Sequence, residues 1–179
     1  TLKMNSGATA PEWVTVAAGG STLTASQSAT GTGSDVDFTG IPSGTKWITM
    51  LLYNVSTDGA GTYGIRIGDA GGIETTVYQG AMGGISTGGS AHITDMDTSF
   101  KLVGPSLSAS NYSGIAELRL QETSSFKWVC QSVIGNAADS SAYCTFGGGN
   151  KTLSAELTQV QLLTSDTFDG GTVSIQYGS

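Results

Sequence analysis

No window of ten or more residues in this chain keeps apolar side chains at i, i+3, i+4 and i+7 without a Gly, Ser or Thr interrupting it. That spacing is what an amphipathic helix needs, so helices are excluded as the main building element. A period of two recurs instead. In residues 113–121, SGIAELRLQ, Ile115 sits with Glu117 and Arg119, while Ala116, Leu118 and Leu120 share the opposite face. Phe126, Trp128 and Cys130 share one face of the next run, with Val129 and Val133 on the other. Leu157, Gln159, Gln161 and Leu163 alternate with Thr158, Val160 and Leu162, and Val173, Ile175 and Tyr177 alternate with Ser174 and Gln176. Residues 46–55, KWITMLLYNV, are too apolar on both sides for an exposed edge strand. This run and residues 157–164 are candidates for burial on both faces, one of them a subunit interface.

Turn clusters separate the runs: STDGAGT, GDAGG, GNAADSS, FGGGNK and TSDTFDGG. Roughly eight to ten short strands joined in this way predict an all-β chain, an antiparallel β-sandwich or barrel. A jelly-roll-like sandwich suits the length. Residues 1–20 lack alternation apart from WVTV at 13–16 and read as an N-terminal connector or arm, with the sandwich over 21–179. The length of 179 residues fits one domain, long enough to bury roughly 70% of its extended surface.

With 23 Ser and 24 Thr but only 12% charged residues, the surface is polar without being charged. The 6 Tyr, 5 Phe and 3 Trp separate the chain from disordered acidic sequences. A net charge of −7, with no basic run, argues against nucleic acid. No apolar run reaches the ~18 residues of a membrane span. The opening TLKMNSGATAPEW lacks the charged-then-apolar order of a signal peptide and begins without Met, as a fragment or processed product would.

The stretch IRIGDAGGIETT, residues 65–76, has the glycines, acid and hydroxyls of a ligand loop. It lacks the spacing of a phosphate loop or a dinucleotide fingerprint, and no helix pattern follows. Asp69 and Glu74 are too few carboxylates for a calcium loop. It reads as a strand with Ile65 and Ile67 facing inward, followed by a turn at residues 69–72. Cys130 and Cys144 flank a loop containing Asn136 and Asp139. A hairpin centred there makes them cross-strand neighbours, either a buried thiol pair or a disulfide. With two Cys and no secretion signal, reduced core thiols are favoured. His92 is the only His, too far from either Cys for zinc and without a partner motif for a triad. Asp95 and Asp97 read as a solvated strand edge. Most acids sit in turn-like contexts, Asp58, Asp69, Asp139, Asp166 and Asp169, with nothing marking the paired carboxylates of a glycosidase. No catalytic, cofactor or metal residue is assigned. Trp47, Tyr53, Phe126 and Trp128 are expected in the core. Tyr63, Tyr78, Tyr112 and Tyr143 lie near loops, where a ring can stack on a sugar or dock against protein.

Residues 38–80, FTGIPSGTKWITMLLYNVSTDGAGTYGIRIGDAGGIETTVYQG, resemble a segment that recurs in virion appendage proteins of tailed bacteriophages, including tail and head fibres. The opening LKMNSGATAPEW is similar to the connector that precedes C-terminal head domains of phage fibres, and residues 168–177 to their terminal strand. The resemblance covers about a third of the chain and leaves residues 81–167 outside it. It implies a jelly-roll-like head that joins two further copies in a homotrimer, on the virion exterior. From it follow the expected partners: other virion proteins through the N-terminal segment, and a host-surface glycan or protein through loops holding Tyr78, Tyr112, Asn136 and Asp139. The leading expectation is a non-enzymatic fibre head in host attachment. The rival readings are a capsid or tail decoration protein that bridges subunits, a glycan-degrading enzyme, and a free carbohydrate-binding module.

Overall fold

The computed structural model describes residues 2–4, 11–13, 25–28, 33–104, 110–137 and 142–179. Every regular element among them is a strand: β1 (Leu2–Met4), β2 (Pro11–Trp13), β3 (Ala25–Ser28), β4 (Asp35–Thr39), β5 (Trp47–Thr57), β6 (Tyr63–Asp69), β7 (Gly72–Ile73), β8 (Gln79–Ser86), β9 (Ala91–Asp95), β10 (Phe100–Val103), β11 (Asn111–Glu122), β12 (Lys127–Ala137), β13 (Tyr143–Thr152), β14 (Gln159–Thr164) and β15 (Phe168–Gly178). The count exceeds the eight to ten expected because short pieces such as β7 and β9 lack a run long enough to declare itself by alternation.

All pairings are antiparallel. β1 and β2 pair with each other, inside the stretch expected to be a connector. An eight-stranded sheet has the order β3-β15-β5-β11-β12-β13-β8-β9. A smaller sheet has the order β10-β6-β14-β4, with β7 attached to β6. The two sheets pack face to face on one core, as the expected antiparallel sandwich requires.

Alternation sets the inner faces. In the small sheet, Phe100, Ile65, Leu162 and Val36 lie in one cross-strand row, with Ile67, Val160 and Phe38 in another. All seven are buried. In the large sheet the row Ile175, Met50, Ala116, Ser132, Gly147 and Met82 runs across six strands. Its small central residues admit β10, which packs across β8, β12 and β13. Gly149 is required there: a β-carbon would stand 2.7 Å from Met96 Sδ and 3.3 Å from the Phe100 ring. Residues 46–55 and 157–164 bury one face fully and the other partly, so the expectation of burial on both faces holds only in part.

IRIGDAGGIETT is architectural. Ile65 and Ile67 are fully buried on β6, and the chain reverses into β7 with Gly72 at φ 125°. Asp69 pins the reversal. Its Oδ1 accepts from Gly71 N at 2.8 Å, and its Oδ2 accepts from Ser154 Oγ at 2.6 Å and Ala155 N at 3.1 Å. These bonds, the Ser154 hydroxyl foremost, hold its pKa below the usual carboxylate value.

The cysteine expectation is corrected. Cys130 pairs with Gly149, and Cys144 with Gly135. The β12–β13 connection is centred beyond the predicted position, so the two residues are five places out of register. An odd offset puts them on opposite faces. Cys130 is buried, Cys144 is exposed, and both are free thiols.

Candidate functional site

The loop tyrosines are corrected by burial. Tyr78 is 2% exposed and Tyr112 is 3% exposed, so neither ring is available to a receptor. Tyr78 Oη accepts from Ile67 N at 2.9 Å and lies 3.0 Å from the Glu74 carbonyl, fastening the 74–78 segment to β6. Burial pushes its pKa up to about 12. Tyr112 packs edge-on against Tyr63, with ring centroids 5.2 Å apart. Asn136 is half-buried, and both ends of its amide serve the β12–β13 end: Nδ2 donates to Ser110 Oγ at 3.2 Å, and Oδ1 accepts from Tyr143 N at 2.6 Å. Asp139 lies outside the described residues. His92 is on β9, its ring parallel to that of Tyr143 and hydrogen-bonded to the Tyr143 hydroxyl at 2.6 Å from Nδ1. Among the described residues no group of three or more His, Cys, Asp or Glu is placed to hold a metal ion.

The feature that sequence reading missed is the outer face of the large sheet. Tyr53, expected in the core, is 68% exposed there. The described residues leave eight large hydrophobic side chains exposed: Tyr53, Val77, Ile85, Ile93, Ile115, Val129, Val133 and Phe146. All but Val77 share this one face. The register lines up their centre. Ser26, Ser174, Leu51, Ile115, Val133, Phe146, Gly83 and Ile93 are successive cross-strand partners, one from each of the eight strands. Phe146 lies over Gly83, where a β-carbon would stand 3.3 Å from its ring. At the far edge Ile93 is 78% exposed.

A polar row runs beside this stripe. Gln131 Nε2 donates to Glu117 Oε2 at 2.7 Å, and Arg119 Nη2 reaches Glu117 Oε1 at 3.2 Å. The carboxylate is thus paired within the sheet, and the rim presents little unbalanced charge. Two shallow depressions flank the stripe. One, of about 420 Å³, is lined by Ile115, Glu117, Gln131 and Val133; the other, of about 310 Å³, by Ile85, Tyr143 and Cys144. Side chains of this size carry roughly 150–250 Å² when aromatic and less when aliphatic. The seven therefore expose on the order of 600 Å², the top of the ~300–600 Å² found for the largest patch of a monomer. Each partner in a standard protein interface buries ~800 Å². The parity of β11, β12, β14 and β15 was legible; which strands become neighbours was not, and the stripe exists only through that order.

No protein-family model, curated protein or solved structure matches this chain.

Proposed function

We propose that this chain is a non-enzymatic structural protein of a tailed-bacteriophage virion, the jelly-roll-like head of an exterior appendage. Its copies pack through the outer face of the large sheet into a homotrimer that attaches to the host surface. The observation that carries the reading is the gathering of seven exposed hydrophobic side chains on one face. Its area approaches what one partner contributes to a single stable interface, and in a trimer the face is divided between two neighbours. A second copy is the occupant that requires no further component. The resemblance of residues 38–80 to phage appendage segments supplies the virion context. Three copies would multiply weak single-site contacts with a cell surface.

The test is solution mass by light scattering over a ~100-fold concentration range. The expected mass is three times 18.1 kDa. Val133→Glu and Phe146→Glu should each give a folded monomer with an unchanged strand signature in circular dichroism, because both side chains already face outward. A wild-type monomer, or a trimer indifferent to both substitutions, overturns the assembly. Adsorption of the trimer to bacterial cells, lost in the monomeric variants, tests attachment.

A second reading, a decoration protein that bridges shell subunits, is favoured by one observation. The β1–β2 hairpin forms a sheet of its own and joins neither layer of the sandwich. Binding to isolated capsids that is lost on deleting residues 1–20 would select it.

A further inference from the structure

The outer face of the small sheet is unlike that of the large one. A cleft of about 420 Å³ opens there, lined among others by Asp35, Gly64, Arg66, Thr98, Ser99 and Lys101. Strand pairing explains its floor. Lys101 pairs with Gly64, Gly64 with Leu163, and Leu163 with Asp35, so a cation and an acid stand on the two sides of a glycine-floored trough. Arg66 is two residues beyond Gly64 and projects from the same face.

Three features mark this trough as a ligand site. First, the chain carries only seven cationic side chains against a net charge of −7, yet two of them line one cleft. Arg119, Lys127 and Lys151 are paired with carboxylates; Arg66 and Lys101 have no ion-pair partner among the described residues. Second, Arg66 is oriented from within. Its Nε donates to the Thr98 carbonyl at 2.9 Å, which fixes the guanidinium plane and leaves the Nη groups for an incoming acceptor. Third, Ser99 lines the cleft and its hydroxyl is open to solvent there, free to meet an incoming polar group. The hydroxyl occupies the space a β-carbon on Gly64 would fill, 2.5 Å from it, so the glycine is what admits it.

We propose that this cleft binds an acidic saccharide. Its carboxylate lies between Arg66 and Lys101, one ring hydroxyl meets Ser99, and another donates to Asp35. Asp35 decides against a compact dianion such as phosphate, which would meet like charge on the opposite wall. An extended polyol with a single carboxylate satisfies both ends. The volume lies within the ~300–1,000 Å³ of small-ligand sites. The inference deepens the host-attachment part of the proposed function: in a trimer joined through the large sheets, this face points outward.

The experiment titrates 15N-labelled protein at low salt with uronic-acid and sialic-acid oligosaccharides, with their methyl esters, and with inorganic phosphate. Amide shifts should appear around residues 62–66, 98–101 and 163–165. Lys101→Glu, Arg66→Gln and methyl esterification should each weaken binding at least about tenfold, the loss of one charge-assisted hydrogen bond, whereas Lys101→Arg should retain it. Absence of binding by every acidic oligosaccharide, equal binding of acid and ester, or shifts confined to another face overturns the proposal. Phosphate binding as tight as the saccharides overturns the saccharide assignment. The solution mass separates this from the assembly: a trimer that binds no acidic sugar removes the cleft alone, and a monomer that binds one removes the trimer alone.

Discussion

Asp69 is the residue on which the 65–76 segment depends. Its carboxylate accepts three hydrogen bonds, which outweigh the opposing effect of burial, so the charged form is the one the fold selects. A pKa depressed in the folded state adds stability that is fully present above the unfolded value, near 3.8, and is lost as pH falls through the lower folded value. Asp69→Asn should cost about 1–3 kcal/mol at pH 7. The gap between wild type and variant in urea denaturation should narrow toward pH 3. The thiols are separable at the same scale. Burial raises the Cys130 pKa to about 12, and only an exposed, ionisable thiol reacts readily. Iodoacetamide should label Cys144 in the native protein and Cys130 only after denaturation, and a non-reducing digest should contain no Cys130–Cys144 bridge. The turn at Asp69 was readable because the bond to Gly71 is short-range turn chemistry; the Ser154 and Ala155 bonds, from far along the chain, were not. The relation of the two cysteines was not: it hangs on where one long loop turns, and an odd error in that centre reverses a face.

Among elements, the alternating runs were the legible part. β11, β14 and β15 bury Ala116 and Leu118, Val160 and Leu162, and Val173 and Ile175, the sides that alternation assigned to one face. Tyrosines near turns were misread because a loop-like neighbourhood does not reveal where a long side chain ends; Tyr78 reaches back from its turn to the β6 backbone. Lys151 of β13 meets the same segment from the other side. Its Nζ donates to the Thr76 carbonyl at 2.8 Å and to Glu74 Oε2 at 3.2 Å, and lies 5.3 Å from the centre of the Tyr78 ring. The side chain is buried while that of Glu74 is 36% exposed, so the backbone bond and the ring contact carry more than the ion pair does. Lys151→Ala should destabilise by about 2–4 kcal/mol, through an unsatisfied carbonyl and a lost side chain. Glu74→Gln should cost less than about 1 kcal/mol. Chemical denaturation of the two variants against wild type checks the order.

For the whole molecule, the two outer faces differ in kind: one carries a row of exposed apolar side chains, the other a polar cleft with two cations. Charges placed in the small-sheet cleft should therefore leave the solution mass unchanged, while charges on the Ile115–Val133–Phe146 row should change it. The run 46–55 was read as offering one face to a subunit interface, but neither full face was foreseen, because each is made by residues far apart in sequence and brought together by strand order. The same order makes β15 an interior strand, hydrogen-bonded to β5 on one side and β3 on the other. A chain ending at residue 167 would leave Met50 and Leu52 without the buried partners Ile175 and Val173. It should lack the cooperative unfolding transition of the intact protein, as heating followed by circular dichroism would reveal. During synthesis, the large sheet must wait open until residues 168–178 have left the ribosome. A prematurely terminated copy should consequently be degraded by proteases faster than the intact chain, because it lacks the strand that covers β5.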